Sequence, residues 1–429
     1  MTIGTDALPR TSLDELRAEQ LRRLKWSIAH TYNNVPCYRA KCEAAGVSPG
    51  DVTSLADLAR LPFTLKSDFR DTYPFGMLAV PRERCVRIHA SSGTTGKPTI
   101  AGYTRADLDL WNALIARSIL AAGGRPGDLL HNAFGYGLFT GGLGLHGGAE
   151  MLGCSVVPAS GGQTDRQVQL IRDLKPRIIC ATPSYMLALA EALERVGIDP
   201  REASLEIGLH GAEPWSEEMR GEIETRFGIA ALDLYGLSEV LGPGIAQERA
   251  DARGALTVWE DAFYPEIVDP DTGAPLPDGE WGELVFTSLS KEALPIIRYR
   301  TGDLSRLTAP VGDLPMRRMD RITGRSDDML IIRGVNIFPR QIEELIVSEP
   351  RLSAHYRIDV TREGAMDVLS ITCEAATDDA ALQDRARAQI SHRLKSTYGL
   401  SAQIVIAALC GRPNFLNFKK ENGSPGQAG

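Results

Sequence analysis

The sequence lacks several features that mark large classes of protein. No stretch of its 429 residues approaches the run of roughly 20 apolar residues that a membrane-spanning helix needs. The opening residues MTIGTDALPRTSLDEL have neither the basic start nor the apolar run of a signal peptide. Acidic side chains outnumber basic ones by 55 to 47, so the basic excess typical of nucleic-acid-binding proteins is also missing. We therefore expect a cytoplasmic protein whose partners are small molecules, with no role for nucleic acid or membrane.

The cysteines are few and scattered. Their number is odd and no two of them form a C-x-x-C pair, so the pattern indicates neither a disulfide framework nor a zinc ribbon. This usage is consistent with a reducing compartment. The seven cysteines are Cys37, Cys42, Cys85, Cys154, Cys180, Cys373 and Cys410.

Helical and strand patterns alternate between about residue 105 and residue 230. Such alternation predicts a parallel sheet with helices on both faces. Ligands of these sheets bind beyond the carboxyl ends of the strands, so we expect the loops GLHGAEPW and LYGLSEVLGPG to share a site. The helical patterns are ADLDLWNALIARSILAAG, TDRQVQLIRDL, SYMLALAEALERVG and SEEMRGEIETRFG, and the strand patterns are CSVVPA, PRIICAT, EIGLHGA and ALDLYG.

The character of the chain changes after residue 255. Residues 256–289 alternate apolar and polar side chains around the turn signals DPDTG and PDG, which predicts a smaller antiparallel barrel or sheet. From GRSDD onward a turn, a short hairpin and two helices follow. We therefore predict an α/β fold with two domains. Residues 1–325 form a large N-terminal domain, with parallel sheets flanked by helices and a small β-barrel-like subdomain, and residues 326–429 form a small α+β lid.

The stretch SSGTTGKPTI, residues 91–100, has the composition of a phosphate-binding loop. Its glycines let backbone N–H groups converge on an anion, its hydroxyls add donors, and Lys97 supplies a positive charge. It is not a Walker A loop, because Gly93 and Gly96 are too close together and Pro98 follows the lysine. On composition alone, a turn between two strands is an equally good interpretation.

Five motifs considered together change that balance. In this order, SSGTTGKPT, GAEPW, YGLSE, YRTGD and GRSDD resemble the acyl-adenylate-forming superfamily of acyl-CoA synthetases, peptide-synthetase adenylation domains and luciferase. The text between them is similar to phenylacetate-CoA ligases and related aryl-CoA ligases, and the resemblance spans nearly the whole chain. Stretches that carry the second resemblance are FGYGLFTGGLGLHGGAEMLG, WEDAFYPEIVDP and TSLSKEALPIIRYRTGDL.

The resemblance implies an AMP-forming acid-thiol ligase. In such enzymes a carboxylate attacks the α phosphorus of ATP to give an acyl-AMP, and the thiol of CoA then displaces AMP. The implied cofactors are ATP, Mg²⁺ and CoA, the implied acid is aromatic, and the branch suggests a homodimer. Two alternatives stay open at this point: transfer of the acyl group to a carrier-protein thiol or an amine, and a non-catalytic ligand-binding protein.

The motifs assign the implied ATP site to particular residues. Thr94, Thr95 and Lys97 would grip the β and γ phosphates, and Tyr235 would lie against adenine. Asp303 would accept hydrogen bonds from the ribose, and Glu239 with Thr95 would hold Mg²⁺. Without the motif, Glu239 could be a helix-start acid and Asp303 a turn aspartate. The full expected set is Ser91, Ser92, Gly93, Thr94, Thr95, Gly96, Lys97, Gly211, Ala212, Glu213, Pro214, Asp233, Tyr235, Gly236, Ser238, Asp303 and Arg325.

An aromatic and glycine-rich stretch is the expected pocket for the acid. Its flat apolar side chains suit an aromatic ring, although an aromatic run is more often core than pocket. His210 could either touch the substrate or merely end a strand. The expected pocket residues are Phe134, Tyr136, Gly137, Phe139, Gly141, Gly142, His210, Gly211, Ala212 and Leu237.

The C-terminal region carries the implied machinery of domain alternation. Arg325 would contact phosphate or ribose, Asp327 would be the hinge, and Gly334 would line the pantetheine channel. The family's adenylating lysine follows a pattern that GRPNFLNFKKENG matches poorly. Lys419 aligns best, with Lys420 as its neighbour.

A second departure concerns metal. Many relatives carry a Cys and a His that suggest a zinc site in the region where this chain has Arg249 and Thr257. We therefore expect no structural zinc.

Overall fold

The computed structural model describes residues 11–91, 98–326, 330–332, 335–337, 339–363, 366–407 and 417–420. The chain divides into two compact units. The first runs to Glu213 and resumes from Ile223 to Ile322, and the second comprises Pro214–Glu222 and the chain from Thr323 onward.

Local sequence signals set the starts and ends of several helices. Ser12 and Glu15 form a reciprocal capping box at the first helix, and Thr104 and Asp107 do the same at the fourth. Gly153 ends the fifth helix in the left-handed conformation that glycine adopts without steric cost. The α-helices of the described residues are α1 (Leu13–Asn34), α2 (Pro36–Ala44), α3 (Lys66–Asp71), α4 (Arg105–Ala121), α5 (Thr140–Leu152), α6 (Thr164–Leu174), α7 (Pro183–Arg195), α8 (Glu217–Phe227), α9 (Pro339–Val347) and α10 (Ala380–Tyr398).

Strands occur in both units, and short 3₁₀ turns lie at Pro49–Asp51, Leu55–Arg60, Arg82–Arg84 and Pro200–Glu202. The strands of the described residues are β1 (Arg87–Ser91), β2 (Thr99–Tyr103), β3 (Leu129–Asn132), β4 (Ser155–Val157), β5 (Ile178–Ala181), β6 (Ile207–His210), β7 (Ala230–Leu237), β8 (Gly242–Arg249), β9 (Ala252–Val258), β10 (Phe263–Val268), β11 (Pro275–Leu276), β12 (Gly282–Ser288), β13 (Tyr299–Ser305), β14 (Leu307–Thr308), β15 (Arg318–Asp320), β16 (Gly324–Arg325), β17 (Leu330–Ile332), β18 (Val335–Ile337), β19 (Leu352–Glu363), β20 (Met366–Ala375), β21 (Gln403–Ala407) and β22 (Asn417–Lys420).

The main sheet of the first unit confirms the predicted parallel core. Its order is β14-β15-β9-β8-β7-β6-β5-β3-β4, and the run from β4 through β3, β5 and β6 to β7 is parallel. From β8 onward the neighbours are antiparallel. The strand β9 therefore extends the main sheet and does not belong to the separate small sheet. That reversal follows from the tight turn after β7, where the backbone N–H groups of Val240 and Leu241 both bond to the carbonyl of Leu237.

A second, antiparallel sheet lies in the same unit, with β11, β10, β12 and β13 as neighbours in that order. The helix α1 packs against β12, where the hydroxyl of Ser27 donates to the carbonyl of Ser288 at 2.6 Å. Trp111, Trp259 and Phe286 are fully buried in the one large apolar cluster to which both sheets contribute.

The second unit has its own core. The hairpin β17–β18 precedes α9, and a further sheet has the order β21-β20-β19-β22. The side chains of Ile342, Ile371 and Ile390 are buried in a cluster that shares no member with the first. This arrangement confirms the predicted α+β character of the C-terminal region. None of the helices in the described part of the chain is long and apolar enough to cross a membrane.

Candidate active site

Loops from neighbouring parallel strands meet at the carboxyl edge of the main sheet. The strand β5 ends at Ala181 and leads into α7, whereas β6 ends at His210 and leads into the GAEP motif. A carboxylate oxygen of Glu213 accepts a hydrogen bond of 2.7 Å from the backbone N–H of Ser184, in the first turn of α7. Burial raises the pKa of Glu213, and this hydrogen bond opposes the shift. Glu213 therefore fixes the motif to the start of a helix.

Backbone contacts explain why glycine stands at two motif positions. A Cβ at Gly211 would lie 2.3 Å from the carbonyl oxygen of Leu234, and a Cβ at Gly236 would lie 2.0 Å from that of Gly242. Both distances are far below any real Cβ contact, so only glycine lets these strands approach. Ala212, the next residue, has a φ of 70°, which is uncommon for a residue with a side chain.

The motifs YGLSE and YRTGD are joined directly. The hydroxyl of Tyr235 donates to the carboxylate of Asp303 at 2.6 Å, although 68 positions separate the two residues. The ring of Tyr235 also lies 6.1 Å from that of Phe286 in a tilted arrangement. The structure therefore brings together the residues expected at adenine and at ribose.

Asp233 belongs to an ion pair that sequence reasoning missed. Nε of Arg321 lies 3.1 Å from a carboxylate oxygen of Asp233, and both side chains are largely buried. The backbone N–H of Asp233 donates to the carboxylate of Glu248 at 2.9 Å. No motif surrounds Arg321, so only its place in the fold marks it.

Glu239 ends the YGLSE motif and is 6% exposed. Its carboxylate makes no hydrogen bond to any residue in the described part of the chain. The neighbouring Ser238 hydroxyl lies 3.1 Å from that of Thr140, at the start of α5. A nearly buried carboxylate without such a partner fits a ligand of Mg²⁺, which prefers one or two carboxylates together with phosphate oxygens.

The aromatic stretch expected to bind the acid lies between β3 and α5. The ring of Phe134 packs over Gly141, whose hypothetical Cβ would lie 3.5 Å away. The hydroxyl of Tyr136 accepts from Nδ2 of Asn132 at 2.9 Å and lies 3.0 Å from Nδ1 of His146. Burial raises the pKa of Tyr136 to about 12. Its hydroxyl is therefore neutral and held in one orientation.

Other residues expected in the pocket have different surroundings. Phe139 is 57% exposed at the start of α5. Leu237 is partly buried against the large apolar cluster. His210 is fully buried, and its Nδ1 lies 3.0 Å from the carbonyl oxygen of Ala181.

Several expected site residues cannot be placed. Ser92–Lys97, Asp327 and Gly334 lie outside the described residues. Lys419 is described only as part of β22, where its backbone pairs in parallel with Asp359 of β19. Arg325 lies in β16 of the second unit.

Arg249 and Thr257, the two residues at which the sequence departs from the expected zinc pattern, have other contacts. The guanidinium of Arg249 binds the carboxylate of Asp251, with Nε to oxygen at 2.9 Å. Thr257 is buried in β9, opposite Gln247 of β8. Within the described ranges, no group of three or more His, Cys, Asp or Glu side chains could hold a metal ion.

The AMP-binding enzyme family matches residues 40–290, and the C-terminal domain of AMP-binding enzymes matches residues 334–412. The chain therefore belongs to the AMP-binding enzyme family, and the predicted membership of the acyl-adenylate-forming superfamily is confirmed.

Relatives narrow this class to one branch. The chain is 58% identical to phenylacetate-coenzyme A ligase of Aromatoleum evansii, over 93% of this chain and 92% of the relative. It is 56% identical to that of Pseudomonas putida, over 95% and 93%. The crystal structure of 2-hydroxyisobutyryl-CoA ligase with R3-HIB-AMP, in the postadenylation state, superposes with a TM-score of 0.88 at 29% identity, over 97% and 93%. The chain lies in the phenylacetate-CoA ligase-like branch of the family and is an AMP-forming acyl-CoA ligase.

Proposed function

We propose that this chain activates phenylacetate, or a ring-substituted relative of it, as the acyl-AMP and transfers it to the thiol of CoA. The chain is an aryl acid-CoA ligase, and it uses ATP and CoA. The observation that carries this proposal is the sequence identity of 58% and 56% with two phenylacetate-coenzyme A ligases. Each alignment covers more than nine-tenths of this chain and of the relative.

We assign the nucleotide to the loops at the carboxyl edge of the main sheet. The bonded pair of Tyr235 and Asp303 offers a ring for adenine and a carboxylate for ribose hydroxyls. The phosphates would lie on Ser92–Lys97, and Ser91 ends the strand that leads into that loop.

Glu239 is the residue that would hold Mg²⁺, together with Thr95. When bound, the metal supplies positive charge that offsets the charge of the phosphates. The nearly buried carboxylate of Glu239, free of hydrogen bonds to the described residues, supports the role.

The acid would bind beside Phe134 and Tyr136. The neutral hydroxyl of Tyr136 is held by Asn132, so the pocket offers aromatic surface with a fixed polar edge. Such a lining favours an aryl acid over a short aliphatic one.

The C-terminal roles complete the proposal. Residues 1–325 would form the catalytic domain and residues 326–429 a lid that rotates about Asp327 between the half-reactions. Lys419 would bridge acid and nucleotide during adenylation, Arg325 would contact AMP, and Gly334 would line the CoA channel. A cytoplasmic homodimer is also part of the proposal. The six cysteines of the described residues are unpaired, which supports a reducing compartment.

Pyrophosphate release is the test. ATP, Mg²⁺ and a panel of acids (phenylacetate, hydroxybenzoates, aminobenzoates, and acetate as the non-aromatic control) are incubated with and without CoA. We expect release with phenylacetate that rises sharply with CoA, and the CoA thioester by mass spectrometry. Pyrophosphate release that does not change with CoA would favour a carrier-protein or amine acceptor. No release with any aryl acid would contradict the proposal.

A further inference from the structure

Buried donors from three elements bind the loop that follows the YGLSE motif. This stretch, residues 239–243, begins with Glu239 in the turn after β7 and includes the first two residues of β8. One donor comes from β2, one from α4 and one from the segment between β12 and β13. The three bonds are Lys291 Nζ to the carbonyl of Val240 (2.8 Å), Tyr103 Oη to that of Leu241 (2.7 Å) and Trp111 Nε1 to that of Pro243 (2.8 Å).

Lys291 differs from the other two donors because it carries a charge. It is 1% exposed, and its ammonium lies 4.8 Å from the centroid of the Tyr103 ring. None of the ion pairs formed by the described residues includes it. A buried ammonium without a direct counter-ion is costly, so its retention calls for a function or for compensating charges nearby.

Two carboxylates supply that compensation. Burial lowers the pKa of Lys291 to about 8, and the charges of Asp107 and Glu239 oppose this shift. Asp107 is itself occupied, because it accepts the backbone N–H groups of Glu292 at 2.6 Å and Ala293 at 2.9 Å. These bonds fix the segment that carries Lys291. The carboxylate of Glu239, in contrast, accepts no hydrogen bond from any described residue.

We infer that Lys291 is a positioning residue for adenylation: its ammonium anchors the backbone beside Glu239 and offsets the charge of that carboxylate without occupying its oxygens. The inference rests on the proposed role of Glu239 toward Mg²⁺. A neutral side chain at this position would leave the charge of the buried Glu239 carboxylate, the proposed Mg²⁺ ligand, without this offset. ATP with its metal would then bind less tightly, whereas binding of the acid would change little.

The test compares Lys291→Met with Ile296→Ala. Ile296 is fully buried in the same segment and is not part of the proposed site, so both variants lose buried contacts but only one loses a charge. Calorimetry measures binding of ATP with Mn²⁺ in the absence of acid, and pyrophosphate exchange measures KM for MgATP and for phenylacetate. We expect Lys291→Met to weaken Mn²⁺–ATP binding and to raise KM for MgATP by about tenfold or more. The KM for the acid should stay close to the wild-type value.

A double-mutant cycle asks whether Lys291 acts through Glu239. If it does, Lys291→Gln combined with Glu239→Gln should bind Mn²⁺–ATP no more weakly than Glu239→Gln alone. Additive losses would overturn the inference. The variant Lys291→Gln keeps a donor for the carbonyl of Val240, so it serves if the methionine variant does not fold.

Equal losses of Mn²⁺–ATP binding in Lys291→Met and Ile296→Ala would also overturn the inference. They would mean that Lys291 contributes only packing and that its charge has no effect on binding. Failure of the proposed function has a different signature. In that case the wild-type enzyme would show no exchange that depends on an aryl acid, and the calorimetric comparison would still decide on Lys291.

Discussion

At the scale of single residues, the site depends on a few short polar contacts between distant parts of the chain. The bond between Tyr235 and Asp303 and the ion pair between Asp233 and Arg321 each join distant parts of the first unit. Each partner restricts the rotamers of the other, so a ligand need not order them on binding.

Tyr235→Phe tests the proposed nucleotide site. The change keeps the ring and removes the hydroxyl that orients Asp303, so we expect KM for ATP to rise by about three- to tenfold, the worth of one hydrogen bond. The KM for the acid should be unaffected. Tyr264→Phe, at a partly buried tyrosine of β10, is the matched control. Steady-state pyrophosphate release measures both, and equal effects in the two variants would argue against the assignment.

Gly211→Ala tests the close approach of two backbones. Because the new Cβ would meet the carbonyl oxygen of Leu234 at 2.3 Å, one of the strands must shift. We expect a loss of about 1–3 kcal/mol in the free energy of unfolding. Gly221→Ala is the control, since its Cβ meets nothing within 4 Å and alanine favours the helix α8. Urea unfolding should show opposite shifts of the two midpoints, and a neutral Gly211→Ala would contradict the structure.

At the scale of elements, helix ends and strand ends position the motifs. The start of α7 receives Thr182 as its N-cap and the carboxylate of Glu213 from the next loop. In the same way, Asp107 in the first turn of α4 caps its own helix and also binds the segment that carries Lys291. In both cases a single side chain ties a loop or connecting segment to a helix.

Glu213→Gln tests the balance between burial and capping at α7. The pKa of Glu213 is raised, so the folded state binds its proton more tightly and loses stability as the pH rises through that pKa. Glutamine can still accept from Ser184 and carries no charge. We expect the variant to unfold at higher urea than the wild type at pH 7, and this advantage to vanish below pH 4.5, where both unfolded and folded glutamate are protonated.

An exposed acid provides the control for that prediction. Glu218 lies in the first turn of α8, where a negative charge interacts favourably with the helix dipole. Glu218→Gln should lower the urea midpoint slightly at pH 7, which is the opposite sign. If both variants moved in the same direction, the role given to Glu213 would be wrong.

At the scale of the whole molecule, the two units have separate apolar cores. The larger cluster includes Leu130, and the smaller includes Ile390; both side chains are fully buried. A cavity in one core removes contacts from that core alone.

Ile390→Ala should therefore destabilise the second unit locally. We expect a cost of about 2–5 kcal/mol there, seen as faster amide hydrogen exchange in α10, β19 and β20 and unchanged exchange in β3 to β7. Leu130→Ala should show the reverse pattern. Uniform loss of protection by either variant would mean that the two units unfold as one.

The sequence by itself determined the class of fold and the order of the motifs. Helical periods of 3.6 that alternate with short apolar runs predict the helices and parallel strands, and β3 to β7 confirm the strands, because each pattern is local. The family also follows from the sequence, since five motifs in one order carry the resemblance, and the family match over residues 40–290 confirms it. The residues within the motifs could be named for the same reason.

Only the tertiary structure decided which other residues contact and position the motifs. Lys291, Asp107 and Arg321 belong to none of the five motifs, and their importance comes from contacts with residues far along the chain. The direction of β9 was decided in the same way, because pairing with β8 depends on a turn and not on the pattern of the strand. Hydrophobic periodicity records which face is buried but not which partner covers it. Burial, charge compensation and hydrogen bonding between distant segments exist only once the chain has folded.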